Sequence, residues 1–176
     1  MNPADSITDF LFYLAPPVLV FGMAYFLIKK FLDTNQRLKL LDMKMGIQKE
    51  MLPLRMQAFE RVTLYLERIS PNNLLVRVYR PGSNVKEFHS DLLQTIRSEY
   101  EHNLTQQVYM SSESWTAVKT GRDELIKLIN TSVEKCDPSS PGSELSKVVF
   151  QTMMDNEEFP VQNAIEEVKN EAYSLF

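Results

Sequence analysis

The sequence predicts an all-α protein in which an N-terminal transmembrane helix continues into a helical stalk and then a small helical bundle domain. Three observations support this fold class. Residues 10–28 form an uninterrupted stretch of nineteen residues without a charge. Several later segments place apolar residues every three or four positions, which is the spacing of one helix face. The chain has only five glycines and 24% charged residues, a composition that favours helix.

The same patterns divide the chain of 176 residues into six segments. In chain order they are a short external N-terminus (1–9), a transmembrane helix (10–30), a basic juxtamembrane stalk (31–52), a helical core domain (53–136), a linker (137–143) and an acidic C-terminal helical segment (144–176). Outside the span, roughly 125 to 145 residues remain, which is enough for one modest hydrophobic core.

The uncharged stretch has the length of a membrane span. At about 1.5 Å per residue, a helix of nineteen residues crosses a hydrocarbon core of about 30 Å. The alternative is a buried, wholly apolar helix of the domain. The first nine residues contain no Lys or Arg, so we expect no cleaved secretory signal and a retained span. Residues assigned to the span are Phe10, Pro16, Pro17, Gly22 and Ile28, and the two prolines are expected to kink it or to begin its straight part.

Basic residues follow the span at once. Lys29, Lys30, Arg37 and Lys39 are predicted to contact lipid headgroups, where each attracts anionic lipid. The positive-inside rule then places the N-terminus outside and the domain in the cytoplasm, which predicts a single-pass protein of the bacterial inner membrane.

The stalk carries a short heptad-like pattern. Phe31, Leu38, Met45 and Leu52 recur every seven residues, with Leu41 between them. This spacing predicts a coiled coil and thus a homo-oligomer formed through the stalk. Two other readings stay open, namely an amphipathic segment that lies on the membrane and one that folds back on the domain.

In the core domain, Pro53 is expected to mark a helix boundary, and apolar stripes define the helices that follow. Predicted N-caps are Ser70, Asn84 and either Ser111 or Ser112; Glu87 completes a capping box with Asn84. Residues 74–79 are read as helix, with a strand as the alternative. The predicted core-facing residues are Ala58, Phe59, Val62, Tyr65, Leu66, Ile69, Val85, Phe88, Leu92, Leu93, Ile96, Tyr100, Trp115, Val118, Leu125, Ile126, Ile129 and Val133.

The C-terminal segment follows the Pro- and Ser-rich linker and is acidic. Its last helix has apolar residues at alternating spacings of four and three: Val161, Ile165, Val168, Ala172 and Leu175. This stripe fits either docking on the protein's own domain or self-association. The acidic residues are read as solvated helix faces, with an acidic docking tail as the alternative.

The sequence offers little for catalysis. The chain has two histidines and one cysteine, and we predict no catalytic residue, cofactor or metal site. Glu99 and His102 match half of a di-iron motif, which needs a second Glu-x-x-His copy that the sequence lacks. The net charge of −4 argues against nucleic acid as a partner.

Two stretches, 52–75 (LPLRMQAFERVTLYLERISPNNLL) and 93–107 (LQTIRSEYEHNLTQQ), carry a resemblance to known sequences. With the N-terminal span, they resemble an uncharacterised family of small membrane-anchored proteins from the Bacteroidota. The resemblance implies a single span and a helical domain, and it implies no reaction and no site residues.

These observations predict a membrane-anchored cytoplasmic scaffold, or an accessory subunit of a membrane complex. Its expected partners are the lipid bilayer and an unknown membrane or cytoplasmic protein. The alternative is an enzyme or a metal-binding bundle that uses Glu99 and His102. The surface where a partner could bind consists of Glu67, Arg68, Arg97, Glu99 and His102. The alternative, which we favour, is that these residues are ordinary helix surface and form salt bridges between helices.

Overall fold

The structure, a computed structural model, describes residues 3–156 and 161–175, without the side chains of residues 3–9, 11–13, 15 and 156. Its helices are α1 (Pro3–Ile69), α2 (Pro71–Val78), α3 (Val85–Asn103), a 3₁₀ helix (Leu104–Tyr109), α4 (Ser112–Val133), α5 (Gly142–Asn156) and α6 (Gln162–Tyr173). The described residues form no strand, and an isolated bridge joins Asn84 and Pro141. The all-α prediction is therefore confirmed for this part of the chain.

Contacts separate the chain into two units, Met1–Met51 and Leu52–Phe176. We call the first the N-terminal unit and the second the helical domain. Helix α1 contributes to both units, because it runs from Pro3 to Ile69. Helix was predicted throughout residues 10–52, and the structure confirms it there.

The predicted membrane span, residues 10–30, lies inside α1. Across the residues that the structure describes, no helix has a stretch that is both long and apolar enough to cross a membrane. The side chains of residues 11–13 and 15, which belong to the predicted span, lie outside the described residues. Helix at this position is thus confirmed, and its insertion into a membrane stays a prediction.

The helix boundary predicted at Pro53 is wrong, because α1 continues through this residue to Ile69. A proline inside a helix removes one N–H donor and crowds the carbonyl one turn back, and it often bends a helix without ending it. Pro53 and Lys49 are both exposed, so water can satisfy the carbonyl that loses its donor. The predicted span prolines, Pro16 and Pro17, also lie inside α1.

The core of the helical domain follows the predicted stripes. All six α1 residues predicted to face the core are buried, and none is more than 3% exposed. Helix α4 packs against α3, α5 and α6, and α3 packs against α2 and α5. Of the other predicted core residues, Leu93, Tyr100, Ile126 and Val133 are half-buried and the rest are buried.

The predicted caps are present where helices begin. Asn84 accepts a hydrogen bond from the Glu87 N–H at 2.9 Å, and the Glu87 carboxylate accepts one from the Asn84 N–H at 3.1 Å. Ser111, one of two predicted candidates, caps α4. Ser70 precedes α2 as predicted, but its hydroxyl donates to the Glu67 carbonyl at 2.8 Å and does not cap. Residues 74–78 are helical, which confirms helix over strand.

The segment predicted as a linker, 137–143, is tied to the start of α3. The Val85 N–H donates to the Ser140 carbonyl at 2.9 Å, and the Gly142 N–H donates to the Ser83 carbonyl at 2.8 Å. Helices α5 and α6 beyond it bury Leu145, Val149, Ile165 and Val168 in the common core. The last helix therefore docks on its own domain, which the sequence left open.

Candidate functional site

Two adjoining pockets form a groove between α1 and the end of α3 with its 3₁₀ helix. The first has a volume of about 380 Å³ and is lined by Arg61, Leu64, Tyr65, Arg68, Ser98, Glu99, His102 and Asn103. The second also has about 380 Å³ and is lined by Leu54, Gln57, Arg61, Thr105, Gln106, Val108 and Tyr109. Arg61 lines both pockets. We call these two pockets together the groove.

The α1 wall of the groove is a second helix face beside the core face. Residues 54, 57, 61, 64 and 68 follow one another at spacings of three and four, so they share one side of α1. On this side Leu64 is 58% exposed, and across the groove Val108 is 78% exposed. The groove thus offers uncovered apolar surface on both of its walls.

An ionic network lies at one end of the groove. Glu99 Oε1 forms salt bridges with two guanidinium groups, that of Arg68 at 2.8 Å and that of Arg77 at 3.0 Å. The Glu99 side chain is 16% exposed. Arg77 also donates to the Arg68 carbonyl at 3.1 Å, which ties α2 to α1. One carboxylate is thus shared by two guanidinium groups.

His102 and Asn103 bind backbone carbonyls of their own helix. His102 Nδ1 lies 2.8 Å from the Ser98 carbonyl, which fixes the ring, and Asn103 Nδ2 donates to the Glu99 carbonyl at 2.8 Å. Since a carbonyl only accepts, Nδ1 carries a proton in this contact. Within 3–156 and 161–175, no three His, Cys, Asp or Glu side chains gather as metal ligands would. The alternative of a metal centre at Glu99 and His102 gains no support from this arrangement.

Beneath the groove lies an aromatic cluster. Tyr65 packs against Tyr100 with ring centroids 6.2 Å apart, and Tyr100 stacks on Trp115 at 5.9 Å. The Arg122 guanidinium lies 4.1 Å from the centre of the Tyr100 ring. Burial raises the pKa of the Tyr65 phenol, whose buried hydroxyl finds no hydrogen-bond partner among the described residues.

The structure brings together three of the five residues predicted for a partner surface. Arg68, Glu99 and His102 line the groove. Glu67 faces another pocket, beside Ser70 and α6, and Arg97 is exposed outside the groove. Sequence reasoning missed Arg61, Leu54, Leu64 and Val108. The alternating spacing on α1 was a signal for the first three, whereas Val108 had none, because its position depends on the 3₁₀ helix.

A third pocket, in the N-terminal unit, collects most of the predicted headgroup residues. It has about 420 Å³ and is lined by Tyr25, Phe26, Lys29, Lys30, Asp33, Thr34 and Arg37. Lys39 is exposed and lies outside it. Of the span residues, Phe10, Pro16, Pro17 and Ile28 are exposed, and among the described residues no side chain lies within 4 Å of a Cβ added at Gly22.

Comparison with known proteins places the chain in one family. The model of the family of unknown function DUF7935 matches residues 5–175. The chain belongs to this family. No curated protein and no solved structure matches the chain. The family match carries no information on membrane anchoring or on a reaction.

Proposed function

We propose that this protein is a membrane-anchored interaction protein, either a scaffold or an accessory subunit of a membrane complex, that binds a partner protein in its groove. The observation that carries the proposal is the groove itself, with exposed Leu64 and Val108 on opposite walls. Exposed apolar side chains rimmed by polar residues are a feature of protein-binding surfaces.

The proposed anchor is the uncharged stretch 10–28. Its described side chains are exposed except for that of Ala24, which is half-buried, so the stretch presents apolar surface. Lipid would cover that surface. Lys29, Lys30 and Arg37 follow beside Tyr25, and such aromatic and basic residues anchor helices at membrane interfaces.

The charge bias sets the proposed topology. Basic residues lie only on the C-terminal side of the stretch, so we place the N-terminus outside and the helical domain in the cytoplasm of a bacterium. We also propose that the protein associates with itself through the N-terminal unit, where Phe31, Leu38, Leu41 and Met45 are exposed.

Topology is tested with single cysteines labelled by an impermeant maleimide. The background is Cys136→Ser, because Cys136 is half-buried and burial raises the pKa of its thiol, which makes it a poor reporter. Asn2→Cys should be labelled in intact cells, and the exposed Val76→Cys only after permeabilisation. Extraction of the protein by alkaline carbonate, or labelling of position 76 in intact cells, would contradict the proposal.

Partner binding is tested with a photo-reactive amino acid in the full chain. It replaces Leu64 or Val108 in the groove, or Met154, an equally exposed residue on α5, as the matched control. Crosslinks in native membranes from positions 64 and 108, but not from 154, would support the proposal. Equal reaction at all three positions, or none, would contradict it.

Self-association is tested by disulfide crosslinking in the same Cys136→Ser background. Single cysteines at Leu38, Leu41 and Met45 should form dimers, whereas a cysteine at Met43 should not. Equal dimer formation at all four positions, or at none, would show that the N-terminal unit only tethers the domain.

A further inference from the structure

The groove has an excess of positive charge. Two guanidinium groups, those of Arg61 and Arg68, line it together with one carboxylate, that of Glu99, so the net charge of these three groups is two minus one, or +1. Among the described residues, no carboxylate lies within 4 Å of the exposed Arg61 guanidinium. The side chain best placed to meet a ligand therefore carries a charge that the described structure does not neutralise.

Apolar surface flanks this charge on both sides. Arg61 lies between the two pockets, with Leu64 on one side and Leu54 on the other, and Val108 stands on the opposite wall. The groove thus alternates apolar and cationic positions along a helix. An amphipathic helix that lies in such a groove presents anchors at spacings of three and four residues, which matches the spacing on α1.

We infer that the groove binds an acidic amphipathic helix of a partner protein, with a carboxylate at Arg61 and apolar side chains against Leu64 and Val108. This inference rests on the proposed function and names the chemistry of the partner. A guanidinium is a planar donor that binds a carboxylate through two parallel hydrogen bonds, and its weak hydration makes it suited to an interface. Arg68 lies seven residues, or about two turns of α1, beyond Arg61, so it adds a second cationic position for the same helix.

The test combines crosslinking with charge reversal in the full chain. With the photo-reactive residue at position 64, mass spectrometry should find the crosslink in a helical segment that carries Asp or Glu within one turn. Arg61→Glu should lower the crosslink yield about tenfold or more, because like charges now meet. Arg97→Glu is the matched control, since Arg97 is an exposed arginine outside the groove, and its yield should stay within about twofold of the parent.

A charge swap completes the experiment. In the Arg61→Glu variant, replacing the crosslinked acidic residue of the partner by Lys should restore the crosslink yield, because opposite charges then meet again. Unchanged thermal unfolding of Arg61→Glu shows that the variant is folded.

The outcomes separate the inference from the proposed function. If position 64 gives no crosslink at all, the proposed function fails. If crosslinks form but Arg61→Glu leaves their yield unchanged, or if they reach a segment without acidic residues, the inference fails and the proposed function stands. A crosslink to a second copy of this chain would also overturn the inference, because the occupant would then be the protein itself.

Discussion

Glu171 of α6 binds three donors, one on α1 and two at the start of α4, and its removal should destabilise the helical domain. Its carboxylate accepts hydrogen bonds from the Arg55 guanidinium at 2.8 Å, the Ser111 N–H at 2.9 Å and the Ser111 hydroxyl at 2.9 Å. Arg55 also donates to the Tyr109 carbonyl at 3.0 Å. One side chain therefore joins α1, the N-terminus of α4 and α6.

The expected loss of stability follows from the burial of the Glu171 side chain. The Glu171 side chain is 11% exposed, and Arg55 is 31% exposed. Glu171→Ala removes charge-assisted hydrogen bonds and leaves the Ser111 N–H without its acceptor, while water solvates part of Arg55. We expect a loss of about 2–3 kcal/mol in the free energy of unfolding. For a domain of about 125 residues, this lowers the Tm by about 8–12 °C.

The assay is thermal unfolding of the full chain in detergent, followed by tryptophan fluorescence. Trp115 is the only tryptophan, and it is buried in the core of the helical domain, so its emission reports on that unit. Glu166→Ala on the same helix is the matched control, because Glu166 is exposed, and it should change stability by less than about 0.5 kcal/mol.

A double-mutant cycle isolates the ion pair. Arg55→Ala and Glu171→Ala should show a coupling energy of about 1 kcal/mol or more, since the two groups are in direct contact. A coupling energy near zero, or a Tm of Glu171→Ala that equals that of Glu166→Ala, would refute the argument that this contact stabilises the domain.

Three further predictions concern stability, each measured by the same unfolding assay. Tyr65→Phe should stabilise the protein by about 1 kcal/mol, because it removes a buried hydroxyl without a partner; a clear loss of stability would mean that the hydroxyl is satisfied. Gly142→Ala should cost about 1–3 kcal/mol, since its Cβ would lie 3.0 Å from Ser83 Oγ and 3.1 Å from Phe88 Cβ. If Gly142→Ala were as stable as the wild type, Ser83 and Phe88 would have to move enough to make room for the added methyl group. Asn84→Ala should cost about 1 kcal/mol through loss of the capping box, and Asn84→Asp should retain the cap; equal stability of both variants would contradict this.

Most of the helices, the caps at Asn84 and Ser111 and the buried helix faces could be predicted from the sequence alone. The Asn84–Glu87 capping box and the stripe from Ala58 to Ile69 depend on residues within one or a few helical turns, so spacing and residue type are sufficient to identify them. The error at Pro53 has the same origin. A local rule penalises proline inside a helix, but the penalty is a few kcal/mol, and one exposed proline did not end a helix as long as α1.

Where these faces meet depends on the packing of the whole domain. The groove depends on α1, α3 and the 3₁₀ helix lying side by side, and Glu99 joins Arg77, 22 positions earlier in the chain. The Arg55–Glu171 contact spans 116 positions, and it holds α6 on the domain, an outcome that the stripe on α6 left open. No local sequence pattern identifies such pairs, because many distant residues could pair with the same charge or cover the same apolar face. The packing of the whole core selects one arrangement among them.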